Sequence, residues 1–356
     1  MNGQLGIDGT LPANGNSPAN GAKPVAVENG ANGAAPAARV FIRDLTDGQQ
    51  VTAAFVVRGR ERRRKKDGSD WLQLMLADRT GRIPAKLWEG VDEVFDLCAA
   101  GSIVIVEGRY SVHERYGASV TLQRLRAAAE GEYDSADLLD VADTPVERLE
   151  GDLRALIATI QNPHLAALLD RFFGEGTARW RRFREAPAAK FYHQAYRHGL
   201  LDHSLSVAQA VSAAASAFPG IDRDVAVTGG LLHDIGKTEA YNDDPLAIDL
   251  TDDGRLLGEI PLGYYMVRRE IESIEGFPSP LARAILHIIL SHHGKLEQGS
   301  PVVPATREAT LVHAIDNLGG TLGSFDRIER ALPEGEAWSG FDRGIDSSAY
   351  FLSRAA

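Results

Sequence analysis

The segment Gly229 to Tyr241, GGLLHDIGKTEAY, sets an imidazole, a carboxylate and an ammonium (His233, Asp234 and Lys237) behind a run of small and apolar residues. On a helix Lys237 lies one turn beyond the other two and faces the same way. Three ionisable groups in core-like sequence need their charge compensated, and a bound metal ion would do so. Of the ten histidines, eight lie between His193 and His313. In chain order the set reads His203, His233-Asp234, His292-His293, Asp316, each on or at the end of a predicted helix and embedded in apolar sequence. Imidazole and carboxylate together suit Mn²⁺, Fe²⁺, Zn²⁺ or Mg²⁺. One carboxylate between two imidazole sets can bridge two metals, which is how two-metal sites clamp a phosphate. Lys237 can neutralise a transferring phosphate or protonate a leaving oxygen. Blander readings exist for each member. A lone histidine such as His203 is commonly a core residue, and His292-His293 before Gly294 can simply favour a helix dipole. The set taken together favours ligands. His287, one turn before the pair, is balanced between orienting a ligand and packing. His313 precedes Asp316 by one turn, and His113 and His164 look incidental.

The elements that must position these residues are helices. From residue 147 to 330, stretches such as VERLEGDLRALIATI, PHLAALLDRFFG, LLDHSLSVAQAVSAAASAF, RDVAVTGGLLHDIGK and SPLARAILHIILSHHG repeat apolar residues at three- and four-residue intervals. Pro163, Pro219, Pro261 and Pro280 stand at the expected starts and stops. The spacing predicts an all-α domain of seven or more helices. Residues 39–128 read differently, as short alternating stretches with turn signals between them: RVFIRDL, QQVTAAFVVRGR, WLQLMLADRTG, RIPAKLWEG, GSIVIVEGRYSVHERYG and ASVTLQRL. A short helical stretch, VDEVFDLCAAG, falls between the fourth and fifth. That pattern predicts a small closed barrel of the OB type. The fold class is therefore multidomain, a small β-barrel followed by an all-α domain. Residues 1–38, almost all Ala, Asn, Gly and Pro, predict a disordered tail. Residues 129–146 form an acidic linker, and 331–356 a poorly patterned C-terminal tail whose Trp338 and Phe341 are expected to pack back on the helices.

The formal net charge is -11, which argues mildly against a nucleic-acid partner. VVRGRERRRKKDG is the local exception: its residues 58–66 hold Arg58, Arg60, Arg62, Arg63, Arg64, Lys65 and Lys66, opposed within those nine only by Glu61. In an OB barrel this run falls at a hairpin bordering the nucleic-acid face. Trp71 and Trp88 are near enough to stack on bases, and Phe55, Tyr110 and Tyr116 are further aromatic candidates. The alternative for the run is a solvated hairpin. No apolar stretch approaches the roughly 20 residues of a membrane helix, and the N-terminus lacks a secretory pattern, so the expectation is a cytoplasmic protein. The single cysteine, Cys98, reads as a small core residue.

Four segments in order, GLLDHSLSVA, GGLLHDIGKTEAY, LHIILSHHG and EATLVHAIDNLGG, resemble the HD superfamily of metal-dependent phosphohydrolases. The resemblance is closest to the YhaM-type 3′–5′ exoribonucleases, which join an OB-fold domain to an HD domain. LADRTGRIPAKLWEG is similar to their OB domain and APAAKFYHQAYRHGLLDH to the start of their HD domain, so the likeness covers about residues 39–325. It implies a first metal on His203, His233, Asp234 and Asp316, with Asp234 bridging to a second on His292 and His293. Where such sequences have LLGHI this chain has LLGEI, so Glu259 becomes a candidate ligand that makes the second site harder and more anionic, or weakens it. Where they have HHAYxGG this chain has HQAYRHG; Gln194 and His198 depart, and His193 is carried over as a substrate-side residue. The resemblance further implies hydrolysis of single-stranded RNA, with DNA as a further substrate, from the 3′ end to nucleoside 5′-monophosphates. A metal-activated water would attack in line. Two divalent ions are expected, Mn²⁺ favoured over Fe²⁺, Mg²⁺, Co²⁺ or Zn²⁺, and a homo-oligomer is compatible. Two rival readings stay open. One is a related phosphohydrolase acting on a cyclic dinucleotide, a deoxynucleoside triphosphate or an alarmone. The other is a non-catalytic nucleic-acid-binding protein whose metal site is structural or degenerate through Glu259.

Overall fold

The computed structural model describes residues 39–113, 117–138, 144–190, 194–332 and 335–352. The period-2 alternation of β1 (Gln50–Arg64) buries Val51, Ala53, Phe55 and Val57 on one face. The same period buries Leu72, Leu74 and Leu76 of β2 (Asp70–Asp78) and Ile83, Ala85 and Leu87 of β3 (Gly81–Leu87). β4 (Ile103–His113) and β5 (Gly117–Ala127) add Val104, Val106, Val120 and Leu122 to the same core. The strand order β1-β2-β3-β5-β4 closes on itself through the β1–β4 ladder, with β3–β5 the one parallel pairing among them. Between β3 and β4, helix α1 (Val91–Val94) turns Val91 and Val94 into this core. The topology is that of an OB barrel. One predicted strand is corrected: RVFIRDL is not part of the barrel but contains a 3₁₀ turn at Ile42–Asp44, because the Ile42 amide donates to the distant Asp78 carboxylate at 2.6 Å.

A short helix α2 (Ser135–Leu138) leads from the barrel to a second, separate apolar core built by helices. These are α3 (Val146–Ile157), α4 (Pro163–Phe173), α5 (Ala178–Glu185), α6 (Gly199–Ala215), α7 (Arg223–Leu232) and α8 (Lys237–Ala240). The series continues with α9 (Asp252–Leu256), α10 (Glu259–Ser273), α11 (Ser279–Ser291) and α12 (Arg307–Ala331). Side chains of Asn162, Thr177, Asp222, Thr251 and Thr306 cap α4, α5, α7, α9 and α12 by accepting backbone N–H groups. Two glycines let helices approach at the site. A Cβ on Gly229 would lie 2.4 Å from Ile288, and one on Gly236 would lie 2.0 Å from the Glu259 carbonyl oxygen. Side chains there would push α11 and α10 away from the His233-Asp234 corner.

The C-terminal segment is also corrected. Trp338–Asp342 (β6) and Ser347–Tyr350 (β7) form an antiparallel hairpin, tied to α12 by an Arg327–Asp342 ion pair and by Phe351 edge-on to Phe325. Trp338 and Phe341 do not pack on the helices; they are 61% and 67% exposed, because the alternation turns Ala349 inward and leaves Trp338 beside Tyr350 on the outer face. The expected tail at residues 1–38 lies outside the described residues. Among the described residues no helix is long and apolar enough to cross a membrane.

Candidate metal centre

Four helices deliver the cluster. His203 sits on α6, His233 caps the C-terminus of α7 with Asp234 next, His292 and His293 follow α11, and Asp316 lies on α12. His233, Asp234 and His292 are almost fully buried. His203 Nε2 stands 3.2 Å from Asp234 Oδ2, 3.1 Å from Asp316 Oδ1 and 3.2 Å from His233 Nε2. His233 Nε2 is 3.4 Å from Asp234 Oδ2, while His292 Nε2 is 3.4 Å from Asp234 Oδ1. The ligand-type atoms fall into two tight groups, His203/His233/Asp316 and Asp234/His292/His293, and the two oxygens of Asp234 face one group each.

The hydrogen bonds behind these rings decide what the cluster can hold. His203 Nδ1–H donates to Gln194 Oε1 at 3.0 Å, His233 to the Gly230 carbonyl at 2.8 Å, His292 to the Ile289 carbonyl at 2.8 Å and His293 to the Gln298 carbonyl at 2.9 Å. Such oxygens only accept, so each ring keeps a proton on Nδ1 and turns its Nε2 toward the cluster, where a cation can take the place of any proton on that nitrogen. Asp234 Oδ1 and His292 Nε2 are buried with no hydrogen-bond partner, an arrangement that costs about 1–3 kcal/mol per group unless compensated. Lone pairs and carboxylates pointed at one another describe a cation site, and the donor set fits a divalent ion. The electrostatics agree. Burial would lower the His203 and His233 pKa values, but Asp234 and Asp316 outweigh it and raise both, His233 to about 10. Against the opposing effect of burial, Asp234 is held well below the usual carboxylate range by Lys237 and His233, and Asp316 by His203 and His233. Lys237 Nζ donates to Asp234 Oδ2 at 2.7 Å, and despite burial this carboxylate raises its pKa.

Other candidates are placed as follows. Glu259 opens α10 with Oε1 3.8 Å from His293 Nε2, at the margin of the second group and outside both tight groups. Of the two readings of His287, the contact seen is a packing one: its Nε2 accepts the Ala305 N–H at 2.8 Å and fastens the segment before α12. His313 donates from Nδ1 to the His292 carbonyl at 2.7 Å and supports that turn. His164 lies edge-on to Phe277. His193 and Tyr116 lie outside the described residues. Sequence reasoning gave Gln194 no role, although its departure from HHAYxGG marked the place. It is buried at φ +60°, with its amide oxygen on His203. His198 adopts φ +73° where that pattern has glycine, and its Nδ1 bonds to the Arg184 carbonyl.

The basic run is mostly strand, not loop, since β1 continues to Arg64. Trp71 and Trp88 stack at 4.8 Å between centroids, with Arg63 5.7 Å over Trp71 and Lys65 5.8 Å over Trp88, which is 41% exposed. Arg60 and Arg62 lie over Phe95 at 4.0 and 4.6 Å. Arg62 pairs with Asp92 at 2.6 Å, Arg63 with Glu61 at 2.7 Å, and Arg64 with Asp70 at 3.6 Å. Lys66 is exposed. Surface pairs of this kind are worth about 0–1 kcal/mol and yield readily to phosphate. Arg58 is corrected: it turns away from this face, and its guanidinium donates to the carbonyls of Pro245 and Leu246. Phe55 is fully buried in the barrel core.

Residues 200–320 match the HD domain family. The 3′-5′ exoribonuclease YhaM of Bacillus velezensis is 32% identical over 289 residues, which cover 80% of this chain and 90% of the relative. The protein of the same name from Bacillus subtilis is 31% identical over 288 residues, with the same coverage of 80% and 90%. Among solved structures, the second OB-fold domain of replication protein A from Methanococcus maripaludis is similar with a TM-score of 0.22 and 21% identity, covering 26% of this chain and 96% of that one. The likeness to the two exoribonucleases spans four fifths of this chain and nine tenths of each relative, and by it this chain belongs to the YhaM 3′-5′ exoribonuclease family.

Proposed function

We propose that this chain hydrolyses single-stranded RNA from the 3′ end to nucleoside 5′-monophosphates. In this reading His203, His233, Asp234 and Asp316 hold one divalent cation, and Asp234, His292 and His293 hold a second with Glu259 at its edge. The observation that carries the proposal is the convergence of the Nε2 atoms of His203, His233 and His292 on buried Asp234 and half-buried Asp316, with a His293 ring nitrogen in the second group. The names of the curated relatives support the substrate and its polarity. The mixture of imidazole and carboxylate favours Mn²⁺ or Fe²⁺ over softer choices.

When bound, such cations lower the pKa of water to near neutrality and offset charge on phosphoryl oxygens. The chain's own groups prepare the place. Gln194 and three backbone carbonyls fix the tautomers, so that every Nε2 faces inward. Asp234 anchors the Lys237 ammonium at 2.7 Å and keeps it charged, which suits a fixed positive charge beside a phosphate oxygen better than a proton donor. The Trp71–Trp88 stack, with Arg60, Arg62, Arg63, Arg64, Lys65 and Lys66 along β1 and its turn, offers base stacking and phosphate contacts to the upstream strand.

The test is a 5′-labelled single-stranded RNA incubated with Mn²⁺. The label should remain on products that shorten progressively, with nucleoside 5′-monophosphates released. Asp234→Ala and His233→Ala should each slow this by about 10² or more. Degradation at the parental rate by either variant rejects the site.

A further inference from the structure

Arg58 stands at the head of the basic run, yet the fold gives it a different task. Across the β1–β2 ladder Val57 faces Leu76 and Gly59 faces Met75, so the register skips Arg58. A bulge of this kind bends the strand and re-aims the extra side chain. Here it aims the guanidinium at the Pro245 and Leu246 carbonyls, 3.0 and 2.7 Å away. The neighbouring turn docks on the same place. Gly101, at φ +88°, comes so close that a Cβ there would lie 2.6 Å from that of Ala247. Gly101 N–H donates to Val57 O and Val57 N–H to Ser102 O, which ties bulge and turn into one corner of the barrel.

The segment that receives this corner is braced. Tyr241 and Leu250 form a β-bridge, Asn242 Nδ2 donates to Ala247 O at 2.8 Å, and Asp244 Oδ1 accepts the Leu246 N–H at 2.9 Å. Lys190 pairs with Asp249 at 2.7 Å, and Arg182 donates to the Thr238 and Tyr241 carbonyls at 2.6 and 2.5 Å. The segment follows directly on α8, whose first residue is Lys237. A chain of rigid contacts therefore runs from the strand bearing the basic face to the lysine beside the cluster.

We propose that Arg58 is a positioning residue. It clamps the barrel to the 242–250 segment so that a strand leaving the Trp71–Trp88 stack arrives at Lys237 and the cluster in a fixed orientation. The inference rests on the RNA-hydrolysis reading above. Both bonds leave one guanidinium nitrogen, Nη1, whose reach and fixed plane a lysine ammonium reproduces only in part.

The experiment compares the full-length parent with Arg58→Ala, Arg58→Lys and Ala247→Leu. The substrates are an RNA of about 30 nucleotides, beyond the ~4–16 covered by one OB fold, and the shortest oligomer the parent still cleaves. For Arg58→Ala and Ala247→Leu, kcat/KM on the long RNA should fall about tenfold or more while the short oligomer is cleaved within about twofold of the parental rate. Arg58→Lys should fall between. The salt dependence of RNA binding by Arg58→Ala should keep the parental slope, because a lost phosphate contact would lower that slope by about one. An unchanged ratio between the substrates, an equal loss on both, or a reduced slope overturns the clamp. A parent that degrades no RNA overturns the hydrolysis reading instead. The clamp is then judged by small-angle scattering: larger maximum dimensions for Arg58→Ala and Ala247→Leu uphold it, and unchanged dimensions reject it.

Discussion

His203 Nε2 and His233 Nε2 lie 3.2 Å apart although each ring already uses its Nδ1–H to donate a hydrogen bond to an oxygen. Two lone pairs at that distance repel unless a proton or a cation stands between them. Asp234 and Asp316 flank the pair and favour either one.

Mn²⁺ added to chelator-treated protein should therefore raise the melting temperature. The gain is about 2.7 kcal/mol at a hundredfold excess over Kd. In the cation-free protein His233 is raised from 6.5 to about 10. Its protonation thus adds stability in full below the unfolded value, and that contribution is lost as pH climbs toward the folded one. A cation displaces this proton, so affinity should increase with pH within that window, by roughly tenfold per unit for each proton released. Calorimetric titrations in buffers of different ionisation heat count the protons; affinity independent of pH contradicts the arrangement.

Gln194→Ala removes the acceptor that holds the His203 tautomer. Cation affinity should weaken by about 10–100-fold, as for other groups that orient metal-ligating histidines. Gln194→Glu keeps an acceptor oxygen and should recover most of the loss. Equilibrium dialysis against Mn²⁺ reads both, without reference to turnover.

Trp88 is the exposed partner of the tryptophan stack. Trp88→Ala should cost about 1–3 kcal/mol in affinity for single-stranded RNA while leaving cation uptake at the parental level. Fluorescence anisotropy with a labelled oligonucleotide checks the first half and dialysis the second.

Cys98 is buried in the barrel core, and burial pushes its thiol up to about 12 despite the nearby Arg60. A thiol reagent at pH 8 should find no reactive sulfur in the native protein, since attack needs the thiolate. The same reagent should find one after denaturation, matching the single cysteine in the chain.

The parts of the molecule legible in the sequence are those governed by local period or by unusual side chains. Alternation in VTAAFVV and WLQLML is enough to predict barrel strands, because one face of each is buried. His233-Asp234 and His292-His293 stand out because charge is rare in such apolar surroundings. What stayed hidden depends on distant partners. RVFIRDL has strand composition, but Asp78 captures its Ile42 amide into a turn. Trp338 and Phe341 are apolar enough for a core, yet the β6–β7 register turns them to solvent. Gln194 gains its role from a ring on the following helix, and Arg58 from carbonyls nearly two hundred residues away. No window along the chain contains those pairs.

Asp234 presents one oxygen to each half of the cluster. On the two-cation reading proposed above, a carboxylate shared in this way would make the halves unequal tenants: the first ion to arrive would lock its rotation and draw off its charge, leaving a poorer hold for the second. Loading would then be sequential, a tight step followed by a loose one. If both ions are needed for turnover, the loose step would tie the pace of RNA decay to the free divalent ion around the protein.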